Sequence, residues 1–270
     1  MIRLLLWISR LFTPRPPTRH FKFSSILQGE SMTFKIKTII ASMGLTLALG
    51  TSAWAAPAAD FMEKLEAETR PLVDRERDGA RRPFQVINLL GISEGMTVID
   101  VGAADGWFTR VLSAAVGPSG KVIMQEGARA LETDEGAAPK ATAAGLGNVE
   151  VSFEALGGVG TNVADAAITA LNLHHANDER GTAAMKDLFQ VLKPGGVAAV
   201  IDHVGTLITP ANSHRILATI VKGWIEAAGF EIVVESDILR TTADDHMLSA
   251  MAPELGRDTD QFMFVVRKPN

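Results

Sequence analysis

Residues 97–112 read TVIDVGAADGWFTRVL, and this stretch restricts the fold more than any other. TVIDV is a short, apolar, β-branched run of strand length. Gly102, Ala103, Ala104 and Gly106 follow it, small residues that let the backbone turn tightly and let a ligand approach closely. From Gly106 to Val116, Trp107, Val111 and Ala114/Ala115 recur every three or four residues, the spacing of a helix with a buried face.

The same alternation runs through the rest of the chain. GPSG at 117–120 is a turn, 121–125 a second strand, and Ala-rich helical sequence follows. Residues 149–153 and 166–171 read as the third and fourth strands. A helix over 182–192 is stopped by KPGG, and 197–201 is the fifth strand. A helix over 213–228 closes on Gly229, a good C-terminal cap, and 230–235 and 262–267 are the last strands. Upstream, 60–90 reads as helical with a break at Pro71. Strands alternating with helices predict an α/β, doubly wound parallel sheet covered on both faces. Short β-branched strands suit burial from both sides.

In such sheets ligands bind at the carboxyl ends of the strands, beside the switch point. The first strand ends in Asp100-Val-Gly102-Ala-Ala104-Asp-Gly106, which is not the dinucleotide spacing G-x-G-x-x-G. The helix after Gly106 aims its first amide N–H groups at a ligand there. The second strand, KVIMQ, ends at Glu126, whose carboxylate can accept both hydroxyls of a ribose. Loop and acid together point to an adenosine-type ligand.

The N-terminus carries a different signal. Lys35 and Lys37 precede the apolar run TIIASMGLTLALG, and Ala53-Trp54-Ala55 supplies a small-x-small cleavage site, the layout of a cleavable export signal over 32–55. The run is too short for the roughly 20 residues of a stable membrane span. Residues 1–31, with five Lys/Arg and the turn PRPP, fit neither a domain nor the signal, and translation from Met32 is expected. Cleavage after Ala55 leaves a helical segment over 56–92 and a main domain over 93–270, with 19 basic and 30 acidic residues. That acidic balance argues against nucleic acid as a partner, and the mature part has no membrane span. The expected location is the periplasm, with the cytoplasm as the alternative. The chain has no Cys, so disulfides and thiolate sites are excluded, and no Tyr, which excludes a Tyr-Lys proton relay.

The motif Asp100-x-Gly102-x-Ala104-x-Gly106 resembles the first motif of the class I S-adenosylmethionine-dependent methyltransferases, with Ala104 in place of the middle glycine. GISEGMTV (91–98), VLKPGG (191–196) and IEAAGFEIV (225–233) resemble further stretches of that family, and the resemblance covers roughly residues 75–268. DRERDGARRP (74–83), IDH (201–203), HRI (214–216), ESDILR (235–240) and TDQFMFVVRKP (259–269) resemble a group of bacterial predicted methyltransferases that often carry signal peptides. The resemblance implies a Rossmann-like seven-stranded sheet of order 3-2-1-4-5-7-6 with the last strand antiparallel. It implies S-adenosyl-L-methionine as cofactor. Asp100 and the backbone at Gly102, Ala104 and Gly106 would hold the methionine end, Glu126 the ribose, and Glu154 is the one acid placed for the adenine.

The methyl acceptor of this fold lies over the fourth and fifth strands. His174 and His175 follow the fourth strand and Asp202-His203 end the fifth, so His174, His175 and Asp202 are the candidate catalytic residues. His214-Arg215 would open a helix capped by Ser213 and could reach an anionic acceptor. Asp244-Asp245-His246 reads as turn chemistry. His174, His175, Asp178, Asp202 and His203 are plausible metal ligands by type. No fixed ligand spacing joins them, and neighbouring histidines diverge on a strand, so no metal is expected.

The expected function is methyl transfer from S-adenosylmethionine to a small molecule. The alternative is an exported binding protein on the same fold with weakened or lost cofactor use. A nicotinamide oxidoreductase fits the loop spacing poorly.

Overall fold

The computed structural model describes residues 56–132 and 134–270. The upstream segment 1–31 and the export signal 32–55 lie outside the described residues. Three short helices come first: α1 (Phe61–Glu66), α2 (Leu72–Arg81) and α3 (Pro83–Leu90). Strands and helices then alternate: β1 (Thr97–Val101), α4 (Trp107–Val116), β2 (Lys121–Gln125), α5 (Arg129–Glu132), α6 (Ala137–Ala144), β3 (Val149–Ser152), β4 (Ala164–Ala170), α7 (Asp178–Val191), β5 (Leu192–His203), α8 (Ala218–Ala228), β6 (Glu231–Ser236) and β7 (Gln261–Arg267).

The seven strands form one sheet of order β3-β2-β1-β4-β5-β7-β6. β1 to β5 pair in parallel, and β7 runs antiparallel to both β5 and β6. The doubly wound seven-stranded fold expected from the sequence is therefore present, strand order included. Side chains alternate between two cores, as a period of two requires. Val98, Val122, Ile168, Ile201 and Val265 face α3 and α4, while Ile99, Ile123, Val200 and Phe264 face α7 and α8.

Three boundaries differ markedly from expectation. α7 begins at Asp178 because Asn177 caps it, its side chain accepting the Arg180 N–H at 3.0 Å. KPGG does stop the helix, but the chain is already in β5 there, from Leu192 onward. The helix expected from Ser213 starts only at Ala218. Residues 213–217 are held by other bonds: Ile216 bridges to Val204, and the Arg215 guanidinium donates to the Val204 and Leu248 carbonyls and to Asp244. Arg215 and Asp244 are fully buried as an ion pair, and Ser213 offers its carbonyl to the Ala250 N–H. Tertiary bonding of one arginine outweighs the local capping signal.

The register brings Val101 level with Gln125 and with Thr169, and Ala170 level with Ile201. The loops that leave β1, β2, β4 and β5 therefore emerge at one edge, on both sides of the β1/β4 switch point.

Candidate functional site

The loop after β1 is held in an unusual backbone state. Gly102, Ala104 and Gly106 all have left-handed φ, at 62°, 52° and 81°. A side chain at Gly102 would place its Cβ 2.7 Å from Asn172 Nδ2, and one at Gly106 would meet Thr142 Cγ2 at 2.7 Å. At both positions a side chain would be strained in torsion and would have to push a neighbouring side chain aside. Ala104 adopts the state with a methyl group, exposed to solvent.

Bonds to the tip of β2 hold the loop there. Gly102 N–H donates to Gln125 Oε1 at 3.3 Å, Ala103 N–H to the Gln125 carbonyl at 3.1 Å, and Ala104 N–H to the Glu126 carboxylate. Gln125, buried, also donates to the Glu126 and Glu154 carbonyls, so it ties β1, β2 and the segment after β3 together. Nothing in the sequence of a single glutamine at a strand end marks it as such a bracket. Glu126 is half-buried, and burial, with the charge of Glu135, raises its pKa against the bond from Ala104. Glu154 is exposed, and its backbone carbonyl is what meets Gln125.

Asp100 lies beneath the loop. It is buried and accepts the Thr109 hydroxyl at 2.6 Å. Burial pushes its pKa up to about 6, more than the bonds from Thr109 pull it down. Above it, α2 is fixed to α4 through Asp74, whose fully buried carboxylate pairs with Arg110 and whose carbonyl accepts Trp107 Nε1–H at 2.9 Å. That arrangement carries Arg81 to the flank of the loop, its guanidinium 4.9 Å from the Trp107 ring centroid. Burial and the neighbouring Arg77 lower its pKa, while Asp105 and Asp100 oppose this. Arg81 makes no hydrogen bond or ion pair among the described residues, so it is a cation available to an anionic ligand. Its only sequence signal is the basic cluster DRERDGARRP, which by itself looks like a solvated face.

A cavity of about 310 Å³ lies beside the loop, with Val101, Gly102, Leu156, Leu173, Met185 and His175 among its lining residues. A carboxylate at a strand tip, left-handed small residues, an adjacent apolar cavity and an unpaired arginine fit an adenosine-type cofactor with an amino-acid tail.

At the tips of β4 and β5 lies the second half of the site. His174 and His175 belong to a turn of 3-10 helix, Leu173–His175, rather than to the strand. The expectation that they diverge therefore fails: their ring centroids are 4.1 Å apart. Asp202, with a fully buried side chain, accepts His174 Nδ1–H at 2.7 Å, the His174 backbone N–H at 3.0 Å and the His203 N–H at 2.7 Å. His214 joins from the loop after β5, its Nδ1 3.4 Å from His174 Nε2. His175 is exposed; burial lowers its pKa, and His174 and His214 add to the shift. His203 is buried with an unpartnered Nδ1, and burial holds its pKa down at about 4, so the ring stays neutral. The structure thus unites His174, His175 and Asp202 and adds His214. Asp178 accepts Trp224 Nε1–H on the wall of a cavity that His174 and His214 also line, and Asp244 and His246 serve a separate ion-pair network with Asp260. A second cavity, of about 480 Å³, is lined by His174 and His214 together with Thr206, Leu217, Ile220 and Trp224.

A family model described as "Methyltransferase domain" matches residues 99–200. The ubiquinone/menaquinone biosynthesis C-methyltransferase UbiE of Pasteurella multocida (strain Pm70) is 30% identical over 129 residues, 47% of this chain and 47% of that protein. The chain thus spans about half the length of the curated relative it matches. Among solved structures, an S-adenosylmethionine-dependent methyltransferase from Aquifex aeolicus superposes with a TM-score of 0.52 at 23% identity, covering 72% of this chain and 96% of that one. The 1,6-didemethyltoxoflavin-N1-methyltransferase of Burkholderia thailandensis, solved with 1,6-didemethyltoxoflavin and S-adenosylhomocysteine bound, gives 0.51 at 16% identity, covering 78% and 84%. At these identities the structural likeness speaks for the fold. Fold, motif and matched domain agree on a methyltransferase domain of the class I S-adenosylmethionine-dependent kind over residues 99–200.

Proposed function

We propose that the protein transfers a methyl group from S-adenosylmethionine to a small molecule whose accepting atom must shed a proton. The observation that carries this reading is that Gly102, from the cofactor loop, and His175, from the histidine cluster, line the same cavity. When bound, the cofactor supplies a methyl group already activated on a sulfonium, so the task left to the protein is placement.

Each part of the site has a use in that task. Glu126 would accept the ribose hydroxyls, and the apolar walls at Val101, Leu156 and Leu173 would take the purine. Arg81 would pair with the carboxylate of the methionine end. Gly102 and Gly106 keep side chains out of the space where the loop meets its neighbours. On the acceptor side, Asp202 fixes His174 with Nδ1–H donated inward, which leaves the Nε2 lone pair directed at the cluster. A basic nitrogen held in that way serves an acceptor that carries a proton, such as a hydroxyl or an amine. The relatives' own acceptors do not transfer, since this pocket is built by loops.

Calorimetric titration of S-adenosylmethionine and S-adenosylhomocysteine, beside the Gly102→Arg variant, tests the reading. Micromolar binding, lost by about 100-fold or more in the variant, is the expected result. No binding at millimolar ligand would overturn it in favour of an exported protein that has kept the fold without the cofactor. Export itself rests on residues 32–55, and the expected mature N-terminus is Ala56, which intact-mass measurement of the secreted or periplasmic protein checks. Among the described residues no helix is long and apolar enough to cross a membrane.

A further inference from the structure

We infer that His174, His175 and His214 form a binding site for a divalent transition-metal ion of the zinc type, distinct from the cofactor loop. One ligand nitrogen from each of the three lies within 4.8 Å of the others. His174 Nε2 and His214 Nδ1 are 3.4 Å apart. Two imidazole nitrogens on a tetrahedral zinc, each bonded at about 2.0–2.1 Å, are separated by roughly 3.3–3.4 Å. One edge of the coordination polyhedron is thus already at its working length.

The surroundings supply what a metal site needs behind its ligands. His174 donates Nδ1–H to the buried Asp202 at 2.7 Å, which fixes the tautomer and turns the Nε2 lone pair outward. A carboxylate behind a ligating histidine both orients the ring and makes its free nitrogen a stronger donor. His214 has a left-handed backbone, φ 56°, uncommon for a residue with a side chain and often found where function holds it. It is kept there by the bonds that displace the start of α8: Gly205 N–H to the Ile216 carbonyl at 2.8 Å, Ile216 N–H to the His203 carbonyl at 3.1 Å, and the buried Arg215–Asp244 pair. Bonds of the fold thus help to bring the three imidazoles together.

Three nitrogen ligands leave a fourth position open, the mark of a site that takes an exogenous ligand. His174 and His214 line the cavity beside Thr206 and Trp224, so that position would receive an oxygen donor of the small molecule, a hydroxyl or a carboxylate. This proposal runs against the expectation of no metal. The inference rests on the methyl-transfer reading only for the use of the ion: with His174 Nε2 engaged as a ligand, the ion would acidify a bound acceptor hydroxyl, whose proton would leave to solvent, in place of the direct base role of that nitrogen; ion binding itself is independent of it.

The test uses tag-free full-length protein, stripped with a chelator, equilibrated with zinc and dialysed, with metal content read by mass spectrometry. One zinc per chain is expected, lost in His175→Ala, whose side chain is exposed, and in His214→Ala, and retained in His246→Ala. Asp202→Asn should weaken zinc binding by about 10- to 100-fold. Cobalt(II) loading should give the absorption of a four-coordinate nitrogen site in the unaltered protein, a readout that needs no variant to fold. Less than a tenth of an equivalent of zinc retained, or zinc content indifferent to His175→Ala, would overturn the inference. S-adenosylhomocysteine titration of the same samples separates the two ideas. Zinc bound without S-adenosylhomocysteine sinks the methyl-transfer reading and keeps the ion site, and the reverse pattern sinks the ion site alone.

Discussion

The cofactor loop and the histidine cluster occupy the same edge of one sheet, yet they are assembled in different ways. The loop is five consecutive residues, 102–106, stitched to the next strand over by backbone amides. The cluster joins segments 28 and 40 residues apart, His174 with Asp202 and His174 with His214, and it is held by a buried carboxylate. Conformation defines the first region: its small residues fix a path that few others can follow. Convergence defines the second: ordinary residues gain chemistry only because the fold brings them together. The first should therefore respond to changes of backbone freedom, and the second to changes of charge and hydrogen bonding.

The largest effect is expected at Asp202. Asn in its place keeps the shape but sets an NH2 against donors that now meet a carboxylate. Turnover should fall by about 100- to 1000-fold, while the dissociation constant for S-adenosylhomocysteine stays within about threefold. Parallel loss of both would break the comparison, because the two regions would then be one unit.

Asp100 gives the next effect, on stability against pH. Its folded pKa, about 6, lies above the ordinary 3.8, so between those values the folded state binds the proton more tightly than the unfolded one. The native state therefore loses stability as pH rises from about 4 to 6, by about 3 kcal/mol from this group, and the cost is present in full at pH 7. Asp100→Asn, which cannot titrate, should remove that slope. Urea unfolding of both proteins at pH 4.5 and 7.5 checks it, through the difference between the two. Equal slopes would mean that Asp100 is solvated and that the loop stores no such cost.

Glu126→Gln should weaken S-adenosylhomocysteine binding by about 10- to 100-fold, the range for losing hydrogen bonds to a charged group. Zinc content should not change, because Glu126 is not part of the histidine cluster. Calorimetry and metal analysis on one preparation read both, and a fall in zinc would sharpen the case for coupling across the edge.

How much of this was legible depends on the same contrast. β1 and β2 match their expected bounds, 97–101 and 121–125, because each is a short apolar run closed by small or charged residues. The loop and Glu126 were legible because they follow those strands directly. Gln125 and Arg81 were not, since their work is done by contacts that leave no pattern in the chain. By sequence His214 falls in the first turn of a helix, because Ser213 ahead of it is a good cap. The bonds of Arg215 to Val204, Leu248 and Asp244 decided otherwise, and they are contacts over 11, 33 and 29 residues. Local signals carried the strands and failed where one buried guanidinium redirected the chain.

Ala104 offers the finest test of a region defined by backbone freedom. Its φ of 52° is one that a Cβ disfavours by about 1–2 kcal/mol, and its methyl group is exposed, so little packing repays that cost. Glycine would relieve the torsion but would also add freedom to the unfolded chain, worth roughly 0.5–1 kcal/mol in the opposite sense. The net expectation for Ala104→Gly is a gain of about 0.5–1 kcal/mol, or about 2 °C in Tm for a chain of this size. The Ala104 amide still reaches Glu126, so cofactor affinity should hold or improve. A lower Tm would show that the methyl group packs against something the loop needs, and the left-handed path would then be set by side-chain contact and not by torsion alone.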